Sequence, residues 1–284
     1  MKTAVVTGAN KGLGLAMVRA LCKKLGPNAD VYLTARDVER GHSAVRALRE
    51  EGLSPRFFRM DLADPDSITA LAEHIRQQHG GVDLVIQNGA YAAVPDRPGR
   101  EQVRLMIATN NVGTHRVLQA FAPLLRPHAR VLVVASGFGT LKSLDPRLHA
   151  GFDIDTIGWP DLERLLDGYV RAVEAGEDEK LGWPRWINIP SKVAQVAAVR
   201  IFARQLARDP AGPPGVLVNA VCPGWLVTDA SRPYLKDLPP DIRPKLPDDA
   251  VDDALWPAFL PQGCAAPNGE LIQFRTVLPW RPTP

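Results

Sequence analysis

A β-branched run, Ala4-Val5-Val6, leads directly into Thr7-Gly8-Ala-Asn10-Lys11-Gly12-Leu13-Gly14, and from Leu13 onward Ala16, Met17, Ala20 and Leu21 fall on one helical face. A strand, a glycine-rich turn and a helix in that order leave few folds open. Glycines let such a turn close tightly and let a pyrophosphate approach the free N–H groups at the helix N-terminus, where the helix dipole also favours an anion. Glycine spacing alone is weak evidence, because a glycine-rich turn can simply join two elements. The strand before it and the helix after it give the motif its meaning.

The alternation continues along the chain. Apolar runs at Val31-Tyr-Leu-Thr34, Arg56-Phe-Phe-Arg59, Leu84-Val-Ile86, Arg130-Val-Leu-Val-Val134 and Val216-Leu-Val-Asn-Ala-Val221 are separated by stretches of helical period. Strands with so little polar alternation suit a parallel sheet covered on both faces. The expected fold is therefore α/β: a single Rossmann domain over 1–284, a doubly wound parallel sheet with helices on both sides. A length of 284 residues is enough for one such core. Two segments break the rhythm. Residues 137–186 hold Pro, Gly, Trp and acidic residues around one helical stretch, Leu162 to Ala175, and read as an inserted flap ahead of the active-site helix. Residues 223–261 are rich in Pro and Asp, with a short apolar stretch from Ala254 to Leu260, and read as a substrate-covering loop plus one helix. Glu270-Leu-Ile-Gln-Phe274 is expected to close the sheet edge.

Lys and Arg number 34 against 31 Asp and Glu, scattered rather than clustered, so no nucleic-acid footprint stands out and a small molecule is the expected partner. Cys22, Cys222 and Cys264 are odd in number and far apart, which argues against a disulfide framework or a metal site and for a reducing compartment. The first residues already read as a strand rather than a leader, and no apolar run approaches membrane-spanning length. A soluble, cytoplasmic protein without membrane contact is expected.

The end of the second strand selects between the two nicotinamide dinucleotides, since a carboxylate there pairs with a ribose 2′-OH and an arginine with a 2′-phosphate. The order here is Thr34-Ala35-Arg36-Asp37. Arg36 comes first and Lys11 adds a second cation, which favours NADP(H), while Asp37 is the competing signal.

The spacing Thr-Gly-x-x-x-Gly-x-Gly, Asp61-Leu62 after the third strand and a Ser near the fifth together resemble the short-chain dehydrogenase/reductase family. Gly-Ala-Asn-Lys-Gly (8–12), Leu-Thr-Ala-Arg-Asp (33–37), Glu-Gly-Leu-Ser-Pro-Arg-Phe (51–57), Gly182-Trp-Pro184, Cys222-Pro-Gly-Trp225 and the closing Pro-Trp280 are similar, nearly end to end, to its monomeric NADPH-dependent carbonyl reductases. The resemblance implies a monomer, because the flap covers a face that other members use to oligomerise. It implies that Gly8, Asn10, Lys11, Gly12, Leu13 and Gly14 cradle the cofactor phosphates and that Asp61 and Leu62 flank its adenine. Asn88 would sit beside a ribose with Gly89 and Ala90 against the cofactor, and Pro223, Gly224 and Thr228 would hold the nicotinamide end. Asn110, Ser136 and Lys192 would form part of the reaction centre.

Two departures from the family pattern stand out. Gln87-Asn88-Gly89-Ala90 replaces Asn-Asn-Ala-Gly, keeping small residues against the cofactor. The family's Tyr-x-x-x-Lys is altered more deeply: counting from Trp183-Pro184, the positions read Arg185, Trp186, Ile187 and then Asn188-Ile-Pro-Ser-Lys192, so that Asn188 stands in the tyrosine's place. A carboxamide donates a hydrogen bond but supplies no proton, and acid catalysis of this kind is worth about 10²–10⁴-fold. Tyr91 and Tyr169 are candidate replacement acids, and Trp183, Trp186 and Trp225 candidate pocket walls for a flat apolar substrate. Structural packing explains these aromatics nearly as well. The leading reading is an NADPH-dependent reductase of a bulky carbonyl-like or iminium-like substrate. The alternatives are a non-redox cyclase, isomerase or lyase on the same scaffold, and a cofactor-binding sensor without chemistry.

Overall fold

The computed structural model describes residues 2–282; the single-domain expectation over 1–284 extends past it by residues 1, 283 and 284. In chain order the elements are β1 (Thr3–Val6), α1 (Gly12–Leu25), β2 (Asp30–Ala35), α2 (Val38–Glu50), β3 (Arg56–Arg59), α3 (Pro65–His79) and β4 (Val82–Gln87). There follow α4 (Val103–Ile107), a π-helical turn (Ala108–Val112), α5 (Gly113–Phe121), β5 (Leu125–Val134), α6 (Trp159–Ala175), α7 (Asn188–Arg208), β6 (Leu217–Cys222), α8 (Pro247–Leu255), β7 (Leu271–Gln273) and β8 (Thr276–Leu278). The strands form one sheet in the order β3-β2-β1-β4-β5-β6-β7-β8. Neighbours run parallel up to β7, and β8 returns antiparallel beside it. The order reverses between β1 and β4, so a crevice opens there at the carboxyl ends of the strands.

Every residue of β1, β2 and β6 is buried, as a sheet covered on both faces requires. Alternate residues serve opposite cores. Ala4 and Val6 meet α1, α2 and α8 through Met17, Leu21, Leu48 and Ala254, while Val5 faces the core built with α3, α5, α6 and α7. The starts of α2 and α3 follow side-chain caps: the Asp37 carboxylate accepts from the Arg40 N–H at 2.9 Å to open α2, and Asp64 caps α3 just before Pro65.

One expectation needs correction. The sheet edge is closed by β8 rather than by the 270–274 run, because β7 is itself covered on its outer side by that short hairpin return. Within the 223–261 segment, residues between Pro223 and Tyr234 line the cavity described below, while its helix, α8, packs on α1 through the apolar face of Ala250, Val251, Ala254 and Leu255. Within the flap, α6 packs across α4 and α7, and only the flap's two ends reach the cavity described below.

His115 of α5 stacks on Trp159, the first residue of α6, with ring centroids 3.6 Å apart and planes 20° from parallel. Burial lowers its pKa to about 4, with Arg116 adding to the shift, and burial also lowers that of His79. Both imidazoles are thus held neutral in the folded state. Above pH 6.5 the folded and unfolded chains carry the same charge at these positions; below it the unfolded chain takes up protons that the folded one refuses, so stability falls as pH drops from 6.5 towards 4. Thermal melts are expected to show a fall in Tm from pH 7 to pH 5 that is reduced in His115→Phe; an equal fall in both would assign the effect elsewhere.

Candidate active site

The glycine turn between β1 and α1 lies at the sheet's reversal point. Gly8 and Gly12 take φ of 59° and 57°, the left-handed region that a side chain penalises. A Cβ at Gly8 would stand 2.5 Å from the Gly89 Cα, and one at Gly14 would stand 2.6 Å from Asn88 Nδ2 and 2.7 Å from the Gly8 carbonyl oxygen. The turn is braced from β4. Thr7 Oγ1 accepts from the N–H groups of Asn88 and Gly89, both at 2.9 Å, and Asn88 Nδ2 donates to the carbonyls of Thr7 and Gly8 at 3.0 Å. Asn88 is therefore engaged in holding the turn to the sheet. Leu62 is buried, and its Cδ1 lies 3.0 Å from where a Gly89 Cβ would stand, which sets the 61–63 loop against the same edge; the Asp61 carboxylate accepts from the Ala63 N–H at 3.0 Å.

Arg36 is exposed at the end of β2, with no hydrogen bond or ion pair among the described residues. Its neighbour Asp37 is occupied as the α2 cap, which weakens the signal that competed with Arg36. Lys11, at the outer edge of the turn next to half-buried Asn10, makes a 2.7 Å ion pair with Asp229, both side chains being largely exposed. An exposed pair of this kind contributes little and exchanges readily for another anion. Leu13 lies inward of it, buried in the α1 core. Thr228 closes the turn from the other side, its methyl 3.6 Å from where a Gly12 Cβ would stand.

Beside the turn lies a cavity of about 400 Å³. Its aromatic wall is Tyr91, Phe138, Trp186, Trp225 and Tyr234; Trp186 meets the Phe138 ring edge-on at 5.4 Å and the Tyr234 ring at 5.5 Å. Its polar residues include Ser136, Asn188, Lys192, Cys222, Thr228, Ser231 and Gln273, and Ala90, Pro223 and Gly224 also line it. No carboxylate is present among the described lining residues. Lys192 is the one cation there. Its Nζ donates to Gln195 Oε1 at 2.7 Å and to the Val134 carbonyl at 3.5 Å, and burial lowers its pKa to about 8. Asn188 opens α7 one turn before Lys192, so both side chains stand on one helix face. Ser136 Oγ accepts from the Phe138 N–H at 3.3 Å.

Other expected residues fall elsewhere. Trp183 and Tyr169 are not part of the wall: both are buried on the inner side of the flap itself with ring centroids 4.6 Å apart, the Tyr169 hydroxyl has no partner among the described residues, and burial raises its pKa. Tyr169 thus has neither the position nor the acidity for proton donation here. Tyr91 does line the cavity, but its hydroxyl donates to Gln102 Oε1 at 3.0 Å. Asn110 does not line it. Its side chain accepts from the Tyr91 N–H at 2.7 Å and donates to the Tyr91 carbonyl at 3.1 Å, and so holds the wall segment in place.

Sequence reading missed Phe138, Tyr234, Cys222 and Gln273 in the lining and Gln195 behind Lys192. Tyr234 lies in an irregular, proline-rich stretch and Gln273 on a three-residue strand, where no periodicity assigns a direction. Gln195 was within reach, because a side chain three residues after Lys192 on a helix is its neighbour.

Comparisons with known proteins agree with this architecture. The family model for short chain dehydrogenase matches residues 2–145. The chain is 37% identical to carbonyl reductase (NADPH) 1 of Rattus norvegicus, over 98% of both chains, and 37% identical to the protein of that name from Sus scrofa, over 98% of this chain and 94% of that one. In solved structures it resembles salutaridine reductase from Papaver somniferum, with a TM-score of 0.81, 23% identity and coverage of 95% of this chain and 99% of that one. Glycine turn, sheet order and a 37% identity that runs nearly end to end coincide: the chain belongs to the short-chain dehydrogenase family.

Proposed function

We propose that the protein is an NADPH-dependent reductase of a bulky, flat carbonyl-like or iminium-like substrate, with no phenol at the position where the family resemblance places its catalytic tyrosine. The observation that carries the reading is the meeting of Ser136, Asn188 and Lys192 in one aromatic-walled cavity at the mouth of the glycine turn. Likeness to proteins named as NADPH-linked carbonyl reductases supports the reaction class. The turn at Gly8, Gly12 and Gly14, where positive φ at Gly8 and Gly12 and close backbone approach at Gly8 and Gly14 leave no place for side chains, fits a pyrophosphate, and unpaired Arg36 with exchangeable Lys11 fits a 2′-phosphate.

When bound, NADPH supplies the hydride. The chain's own residues manage the oxygen and the proton. The Ser136 hydroxyl and the Asn188 amide can each donate a hydrogen bond to a carbonyl oxygen and so polarise it. A carbonyl reactant needs one proton in addition, and Lys192, with a pKa of about 8, holds one at neutral pH. An iminium carbon that accepts hydride becomes a neutral amine and needs none, so the lost phenol costs that reaction little. The aromatic wall excludes water and suits planar ring systems. No feature of the cavity favours the non-redox or the sensing alternative.

The covering of α4 and α7 by α6 supports a monomer. Among the described residues no helix is long and apolar enough to cross a membrane.

The test is NADPH oxidation with a panel of planar ketones, quinones, enones and cyclic imines. Turnover with one of these classes supports the proposal, and silence across the panel with cofactor binding confirmed by calorimetry contradicts it. For cofactor choice, Arg36→Ala is expected to weaken NADPH binding by about ten- to a hundredfold, the value of a charge-assisted phosphate contact, and to leave NADH binding unchanged. Equal losses for both cofactors would remove Arg36 from the phosphate site.

A further inference from the structure

Behind Lys192 lies a sealed run of polar side chains. Asn110, Asn111, Thr114, Ser191 and Gln195 are each no more than 1% exposed. Gln195 Nε2 and Thr114 Oγ1 are 3.3 Å apart, and Thr114 Oγ1 is 2.5 Å from the carbonyl oxygen of Asn110 in the π-helical turn. A carbonyl oxygen can only accept, so the single hydroxyl proton of Thr114 is spent on Asn110. Thr114 can then only accept from Gln195. That assignment fixes which end of the Gln195 amide is which: the NH₂ faces Thr114 and the oxygen faces Lys192, 2.7 Å from its Nζ. A second link locks the same helix to the same turn, with Asn110 Nδ2 donating to Ser191 Oγ at 3.3 Å, Ser191 Oγ to Asn111 Oδ1 at 3.0 Å and Asn111 Nδ2 to the Ser191 carbonyl at 2.8 Å.

We infer that Gln195 is a positioning residue for the reaction: a carboxamide oriented through Thr114 by the π-helical turn, which holds the Lys192 ammonium in place and favours its charged form. The inference rests on the reductase reading for its catalytic meaning, but not for its physical content. An oxygen acceptor at 2.7 Å favours the charged amine over the neutral one, in opposition to burial. The Val134 carbonyl at 3.5 Å is too distant to replace it. Among the described residues, the one other titratable group acting on Lys192 is the Cys222 thiol at the end of β6, whose own pKa is raised by burial, so it is neutral when Lys192 titrates and gives little compensation.

The test reads Lys192 directly, by NMR titration of protein labelled with isotopic lysine and assigned with Lys192→Met. Gln195→Met keeps the volume and removes the acceptor, and should lower the midpoint by about one pH unit or more. Gln195→Glu keeps the acceptor and adds a negative charge, and should raise it. Assayed with an accepted carbonyl substrate, the alkaline limb of kcat/KM should move in the same two directions, with kcat falling in Gln195→Met and KM changing little. A merely structural role would move both variants the same way. If Gln195→Met fails to fold, Gln195→Glu decides alone: an upward shift supports the inference and an unchanged or lowered midpoint overturns it. Should the midpoints move as stated while no substrate consumes NADPH, the reductase reading fails and the role of Gln195 in holding Lys192 stands.

Discussion

Asn188→Tyr is expected to raise the reduction of simple ketones by about 10²–10⁴-fold in kcat/KM over the parent, the range that a positioned general acid contributes. The expectation follows from placement. Residue 188 borders the cavity and precedes Lys192 by one helical turn, so a phenol there would lie along the lysine stem and near its ammonium, which acidifies it. In free-energy terms the gain is about 3–5 kcal/mol of barrier. An iminium substrate should gain far less, because its product needs no proton. Steady-state rates for a matched ketone and cyclic imine, measured in parent and variant, check this. Equal ketone rates in the two proteins would mean that Lys192 already does all that a phenol could do, and the weight placed on the missing tyrosine would be misplaced.

Gly14→Ala should disable the other half of the site. The added methyl would lie within 2.8 Å of Asn88 Nδ2, the Gly8 carbonyl oxygen and the Ala9 Cα, two of them backbone atoms of the turn itself. None can give way without breaking the Thr7–Asn88 brace. Overpacking of this kind costs about 1–3 kcal/mol, so NADPH affinity should fall by about ten- to a hundredfold and Tm should drop. The contrast is Gly168→Ala within α6, where the nearest atom to a Cβ is Arg171 Nη2 at 4.0 Å. There the same substitution should stabilise the fold by roughly 0.5–1 kcal/mol through helix propensity and leave cofactor binding intact. Calorimetric titration and thermal melts on both variants separate a local clash from a general intolerance of glycine replacement.

Sequence and structure agree where a single period governs a long segment. The β1-turn-α1 unit, the central parallel strands and the helical stretch of the flap were legible because burial on one or two faces leaves a repeating apolar pattern. β8 was not, since three residues, two of them exposed, carry no pattern. Asp37 shows a different limit. Its chemistry allowed pairing with a ribose or capping of a helix, and only the observed hydrogen bond to the Arg40 N–H shows it serving as the cap. The aromatics divide in the same way. Trp186 and Trp225 border the cavity whereas Trp183 is packed inside the flap against Tyr169, a division set by how the flap folds over α4 and α7 rather than by composition. Tyr234 reaches the wall from a segment without periodicity, its hydroxyl donating to the Ala93 carbonyl at 3.2 Å. The glycine turn and the Asn188-to-Lys192 spacing are each read within one stretch of chain, while the cavity is assembled from five.

The most direct test of the central claim is stoichiometry: NADPH consumed against product formed, by the purified parent protein with a substrate it turns over. The account predicts one NADPH oxidised for each molecule of reduced product. Product released with no net loss of NADPH would contradict it.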